Sequence, residues 1–274
     1  MRLLLFFILL IAACDNSQRQ ASDAKPESSA LADSTSEGLF IDLRALFSQK
    51  ALPPDSVMAV QYDHYFKTSK KFVGFSLQTL IQEALARERF DTTGAVVVFE
   101  CTDGYAPTMD LAKVLGPKKG LIALRDLSAP KGKNWLDSLA EKFDPYYLAW
   151  ADIPKGDESY VLPYGLTAIR IVSGSANFKE AYPFGAAELE KGFTLFRDNC
   201  MKCHAVNKIG GTMGPEFNIP KNITEYWRDE DIIAFAKSPT SYRYNSKMPP
   251  ANTLSDSEFL EIIRYLKHIA KHKL

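Results

Sequence analysis

The sequence predicts two folded units of different class, an α+β domain over residues 39–175 and an all-α domain over residues 186–272, behind an apolar leader and a polar tether. Three observations carry the prediction. β-branched runs and one helical pattern mix before residue 175, only helical periodicity remains after Gly185, and residues 15–38 hold almost no large apolar side chain. With 274 residues, 46% of them hydrophobic and 12% aromatic, the chain is long enough to bury both cores. Its 33 basic and 33 acidic residues cancel, which removes the electrostatic case for a nucleic-acid partner.

The leader, residues 1–13, has Arg2, an apolar run over residues 3–11 and small residues before Cys14, the layout of a signal peptide. A spanning helix needs about 20 apolar residues, so this run is too short to persist as a membrane anchor. Its end, Ile11, Ala12, Ala13 and Cys14, resembles a bacterial lipobox, which implies cleavage before Cys14 and lipidation of its sulfur. Acyl chains on Cys14 would hold the protein at a membrane surface on the periplasmic side of the cell envelope. Residues 14–38 then form a lipidated, disordered tether, and a flexible chain of about 24 residues reaches roughly 25–30 Å.

Ala95, Val96, Val97, Val98, Phe99, Glu100 and Cys101 read as a buried strand, Asp103 and Gly104 supply a turn, and Leu77, Leu80, Ile81 and Leu85 recur at helical spacing. Tyr147, Leu148, Ala149 and Trp150 make another strand, as do residues 168–172. The connection to the second unit runs from Ser173 to Gly185 through Gly174, Ser175, Asn177 and Pro183.

Beyond it, Leu189, Phe193 and Phe196 share a helix face leading into Cys200. Ile232, Ile233 and Ala236 mark a helix that Pro239 stops. The last helix is the best specified: Ser255 and Glu258 form a capping box, Leu254 and Phe259 a hydrophobic staple, and Phe259, Ile262, Ile263, Leu266 and Ile269 the buried stripe.

Chemistry concentrates in the stretch NCMKCH, residues 199–204. A structural zinc site needs four ligands, and no second Cys or His pair is present; His268 and His272 lie at a helix end, where they act as solvated cations. A thioredoxin-type pair would follow a strand, whereas a helix precedes this one. Haem attachment uses every residue. Cys200 and Cys203 can add to two vinyl groups of one porphyrin, and His204 is then delivered to the iron. Met248, before Pro249 and 44 residues after His204, supplies the second axial ligand. Met213 is its rival, and Met201, inside the motif, cannot cross to the other face.

This arrangement resembles the class I cytochrome c family over about residues 186–272. Gly192, Phe196 and Tyr265 stand where that family crosses its first and last helices. The resemblance implies one covalent haem c, a Pro215 carbonyl that accepts a hydrogen bond from His204, and single-electron exchange with other periplasmic or inner-membrane redox proteins.

Residues 73–81, 99–105 and 120–124, with the closing Tyr164, Gly165, Leu166, Thr167, Ala168, Ile169 and Arg170, resemble the sulfite oxidase-like molybdopterin-binding superfamily. The resemblance implies a molybdenum-binding thiolate at the position of Cys101. The Arg and Asn that the family places around its cofactor are missing after Cys101, so molybdopterin is doubtful and the preferred reading is a strand-end thiol. His64, between Asp63 and Tyr65, reads as a turn residue. The sequence thus predicts an anchored electron carrier whose first domain is a docking module. The alternatives are a molybdenum enzyme reducing its own haem, and a haem sensor, which Met248 argues against.

Overall fold

A computed structural model describes residues 33–35, 38–53, 55–128, 145–155, 157, 159–173, 178 and 180–274. The leader, Cys14 and the tether up to residue 32 lie outside the described residues. Folding begins earlier than the sequence predicts, because β1 (Asp33–Thr35) pairs antiparallel with β2 (Gly38–Asp42) inside the expected tether. The sequence Asp-Ser-Thr carries no apolar pattern that could announce this strand.

Asp42 ends β2 and caps α1 (Leu43–Ser48), its carboxylate accepting from the Ala45 amide at 2.9 Å. β3 (Ser56–Asp63) and β4 (Thr68–Ser76) make a hairpin, and Ser76 then caps α2 (Leu77–Arg87). β5 (Val96–Cys101), β6 (Thr108–Asp110), α3 (Leu111–Val114), β7 (Gly120–Asp126), β8 (Tyr147–Trp150) and β9 (Leu166–Val172) follow. All pairings are antiparallel, in one sheet ordered β1-β2-β9-β5-β6 and another ordered β3-β4-β7-β8. Leu39, Ile41, Val97, Phe99, Ile169 and Ile171 from the first sheet share a core with Phe75, Ile122, Leu148 and Trp150 from the second and with Leu77, Leu80 and Ile81 of α2.

The second unit holds α4 (Glu190–Asn199), α5 (Asp229–Lys237), α6 (Pro239–Tyr242) and α7 (Asp256–Ile269). The all-helical expectation needs one correction: β10 (Ala205–Val206) and β11 (Ile209–Gly210) form a small ribbon. Its turn residues Asn207 and Lys208 both have positive φ, at 51° and 66°, as a tight hairpin turn demands. In α7 the capping box forms, with the Glu258 carboxylate accepting from the Ser255 amide at 2.8 Å and Ser255 Oγ from the Glu258 amide at 3.3 Å.

Helices α4 and α7 cross at Gly192. A Cβ there would lie 2.8 Å from the Glu261 carbonyl carbon and 3.0 Å from Tyr265 Cβ, so only glycine permits the approach. The Phe196 and Tyr265 rings pack 5.6 Å apart beside it, and Tyr265 Oη donates to the Ala181 carbonyl at 2.7 Å. Among the described residues no helix is long and apolar enough to cross a membrane.

Candidate haem site

The attachment motif is built onto the end of α4. The amides of Cys200 and Met201 both donate to the Phe196 carbonyl, at 2.8 and 2.9 Å, and those of Cys203 and His204 donate to the Cys200 carbonyl, at 3.1 and 2.9 Å. These bonds wind the chain into a single turn. Cys200 and Cys203 are half-buried, and Met201 lies in the core at 3% exposure.

His204 is 7% exposed and held on three sides. Its Nδ1 lies 2.8 Å from the Pro215 carbonyl oxygen. A carbonyl can only accept, so Nδ1 carries the proton and the Nε2 lone pair is left for a metal. Phe217 stacks on the ring with centroids 4.2 Å apart and planes 27° apart. On the third side is Gly214, where a Cβ would lie 2.5 Å from Nδ1 and 2.8 Å from Nε2. Burial lowers the His204 pKa, against the Pro215 bond that raises it, so the ring is held neutral, as a ligand must be.

Met248 is half-buried and packs against the same apolar cluster as Cys200, Phe217, Ile223 and Ile233. The rival Met213 is 43% exposed. Burial pushes the Cys200 thiol up to about 12 and raises Cys203 as well. Among the described residues no group of three or more His, Cys, Asp or Glu is disposed to hold a metal ion. A covalent haem fits this donor set. Two neighbouring thiols suffice for thioether bonds, one oriented imidazole follows them, and an apolar lining with a methionine completes the surroundings.

Sequence reasoning missed the polar scaffold behind this loop. Asn207, Asn218 and Asn222, each at most 1% exposed, form a chain: Asn222 Nδ2 donates to Asn218 Oδ1 at 2.8 Å, and Asn218 Nδ2 to Asn207 Oδ1 at 2.7 Å. Their remaining donors go to the carbonyls of Leu266 (3.0 Å), Ile269 (3.0 Å), His272 (2.8 Å) and Glu180 (2.6 Å), which ties the loop after His204 to the end of α7 and to the segment before α4.

Cys101 sits elsewhere, in the core of the first unit at the end of β5. Its thiol is raised well above the ordinary range, first by burial and then by the charges of Asp103 and Glu100. The turn that follows does reach the attachment motif. The Ala106 amide donates to the Lys202 carbonyl and the Thr212 amide to the Gly104 carbonyl, both at 2.8 Å. A cavity of about 750 Å³ opens along this seam, lined by Glu100, Cys101, Tyr105, Arg170, Met201 and Lys208 among others.

Comparison with known proteins bears on the second unit alone. Residues 189–270 match the family model for cytochrome c. Cytochrome c of Euglena viridis is 27% identical over 97 residues, 29% of this chain and 95% of that protein. The cytochromes c of Theileria parva and Theileria annulata are each 27% identical over 94 residues, 28% of this chain and 82% of theirs. No solved structure matches the chain at comparable significance. Together with the site's donor set, these matches make the C-terminal part of the chain a cytochrome c domain.

Proposed function

We propose that this protein is a membrane-anchored, monohaem c-type cytochrome that carries single electrons between redox partners in the bacterial cell envelope. The observation that carries the reading is the His204–Pro215 hydrogen bond inside a CxxCH turn, since it fixes an imidazole in the tautomer a metal needs. Cys200 and Cys203 would hold the haem as thioethers, and His204 Nε2 and Met248 Sδ would be the ligands to its iron. Bound haem iron supplies the one-electron couple, and a thioether ligand favours a high potential suited to a carrier. Phe217 and Gly214 fix the plane of the imidazole, and the apolar residues around Met248 exclude water.

The first unit serves as a docking and positioning module on a sulfite oxidase-like scaffold, and a lipid on Cys14 keeps the whole at the membrane. A second reading, a molybdopterin-dependent oxidoreductase feeding its own haem, draws on the position of Cys101 beside the seam cavity. Against it, the Arg and Asn that the superfamily places around its cofactor are missing after Cys101.

The test is a denaturing gel stained for haem, run on protein matured with cytochrome c assembly machinery. A stained band at the protein's mass, lost in the Cys200→Ser, Cys203→Ser double variant, is expected. Complete removal of haem from the wild type by acid-acetone would end the reading.

A further inference from the structure

The seam between the two units falls at the haem-attachment turn, where close backbone contacts border the seam cavity. Besides the two backbone bonds, two glycines bring the chains into contact. Gly104, at φ +83°, leaves no room for a Cβ, which would lie 2.9 Å from the Met213 amide nitrogen. At Gly211 a Cβ would meet the Gly104 carbonyl oxygen at 2.9 Å and the Lys202 carbonyl carbon at 2.7 Å. The turn is preformed by its own domain, with Asp103 Oδ1 accepting from the Tyr105 amide at 2.9 Å and the Tyr105 carbonyl from the Cys101 amide at 3.1 Å.

Behind the turn, Val96, Val98 and Val172 pack with Phe193, Phe196, Met201 and Val206 of the second unit, so the contact has an apolar core and is no loose encounter. The loop bearing Met248 is open by contrast, with Tyr244 91% exposed.

We propose that the turn at residues 103–106 is a lid on the haem edge held by Cys203, closing that edge to water and redox partners and leaving electron exchange to the side of the Met248 loop. The lid deepens the haem reading and rests on it. Burying a haem edge disfavours the more charged ferric state, so the lid raises the potential as well as restricting access.

The experiment uses the full-length, haem-loaded protein and two variants: Tyr105→Ala, which thins the turn, and Gly104→Ala, which pushes it off residues 212 and 213. Three quantities are read: hydrogen exchange at the amides of Ala106 and Thr212, the haem midpoint potential, and reduction rates with ascorbate and with hexaammineruthenium(II). Expected are faster amide exchange, a lower potential, and several-fold faster reduction by both reagents despite their opposite charges. Unchanged potentials and rates in both variants would overturn the lid, whether or not the amides exchange faster. A wild type that matures without covalent haem removes the haem reading and the lid together, a different result from a haem-loaded protein indifferent to the turn.

Discussion

Replacing Gly214 with alanine tests the geometry of His204 with one added carbon. Gly214 does not occupy the left-handed region, so alanine suits its backbone, and reduced freedom of the unfolded chain favours the variant by about 0.4–1 kcal/mol. Against this, the new Cβ would stand 2.5 Å from His204 Nδ1, where ordinary carbon contacts begin at about 3.5 Å. The imidazole has to retreat by about 1 Å. It is backed by Phe217 on a stacked face, so it moves at the expense of its 2.8 Å bond to Pro215. Losing that bond costs about 0.5–1.5 kcal/mol net. Loss of such an orienting partner typically weakens a metal ligand about 10–100-fold, or about 1.4–2.8 kcal/mol. Because thioethers would keep the haem attached, coordination can be read apart from cofactor loss. Gly214→Ala should retain haem staining yet bind cyanide or azide faster and show a disturbed low-spin spectrum. A variant with wild-type spectrum and ligand-binding rates would refute the reasoning about His204.

Met248→Ala should abolish the weak sulfur-to-iron charge-transfer band of the oxidised protein and lower the potential, while Met213→Ala should do neither; the reverse result would transfer the ligand role to Met213. Elemental analysis of the purified protein should find one iron and no stoichiometric molybdenum. Cys101→Ser should keep the haem spectrum and reversible reduction, at a packing cost of about 1 kcal/mol; about one equivalent of molybdenum, lost on that substitution, would favour the enzyme reading. Asn218→Ala leaves Asn207 Oδ1 without its donor in a buried site, while Asn222 Nδ2 keeps the Leu266 carbonyl and the Ile269 carbonyl keeps the His272 amide. At about 1–3 kcal/mol for the one unsatisfied group, thermal unfolding should shift down by roughly 2–12 °C with haem staining intact; an unchanged midpoint would mean the chain of asparagines is dispensable.

What the sequence made legible is local. The capping box of α7 and the CxxCH turn each lie within six residues, so spacing alone exposes them. The hairpin of β3 and β4 was not legible because its turn takes positive φ at Lys67, 57°, where no glycine or asparagine gives it away. Asn207, Asn218 and Asn222 each look like ordinary loop residues, and only burial against the end of α7 reveals their role. The seam was invisible for a different reason. Its two hydrogen bonds join backbone groups about a hundred residues apart, and backbone groups leave no mark in side-chain pattern.

One strand nevertheless announced the seam indirectly. A half-buried antiparallel strand alternates apolar and polar residues, whereas β5 reads Val96, Val97, Val98, Phe99 without a break. An unbroken run demands cover on both faces. Val97 and Phe99 face the core of the first unit, and Val96 and Val98 face the cytochrome domain. The run is therefore explained only when both units are present, and separating them would uncover Val96 and Val172, each at most 6% exposed. This favours two units that work as one body, with the turn after β5 fixed against Lys202 by the same packing that buries the strand.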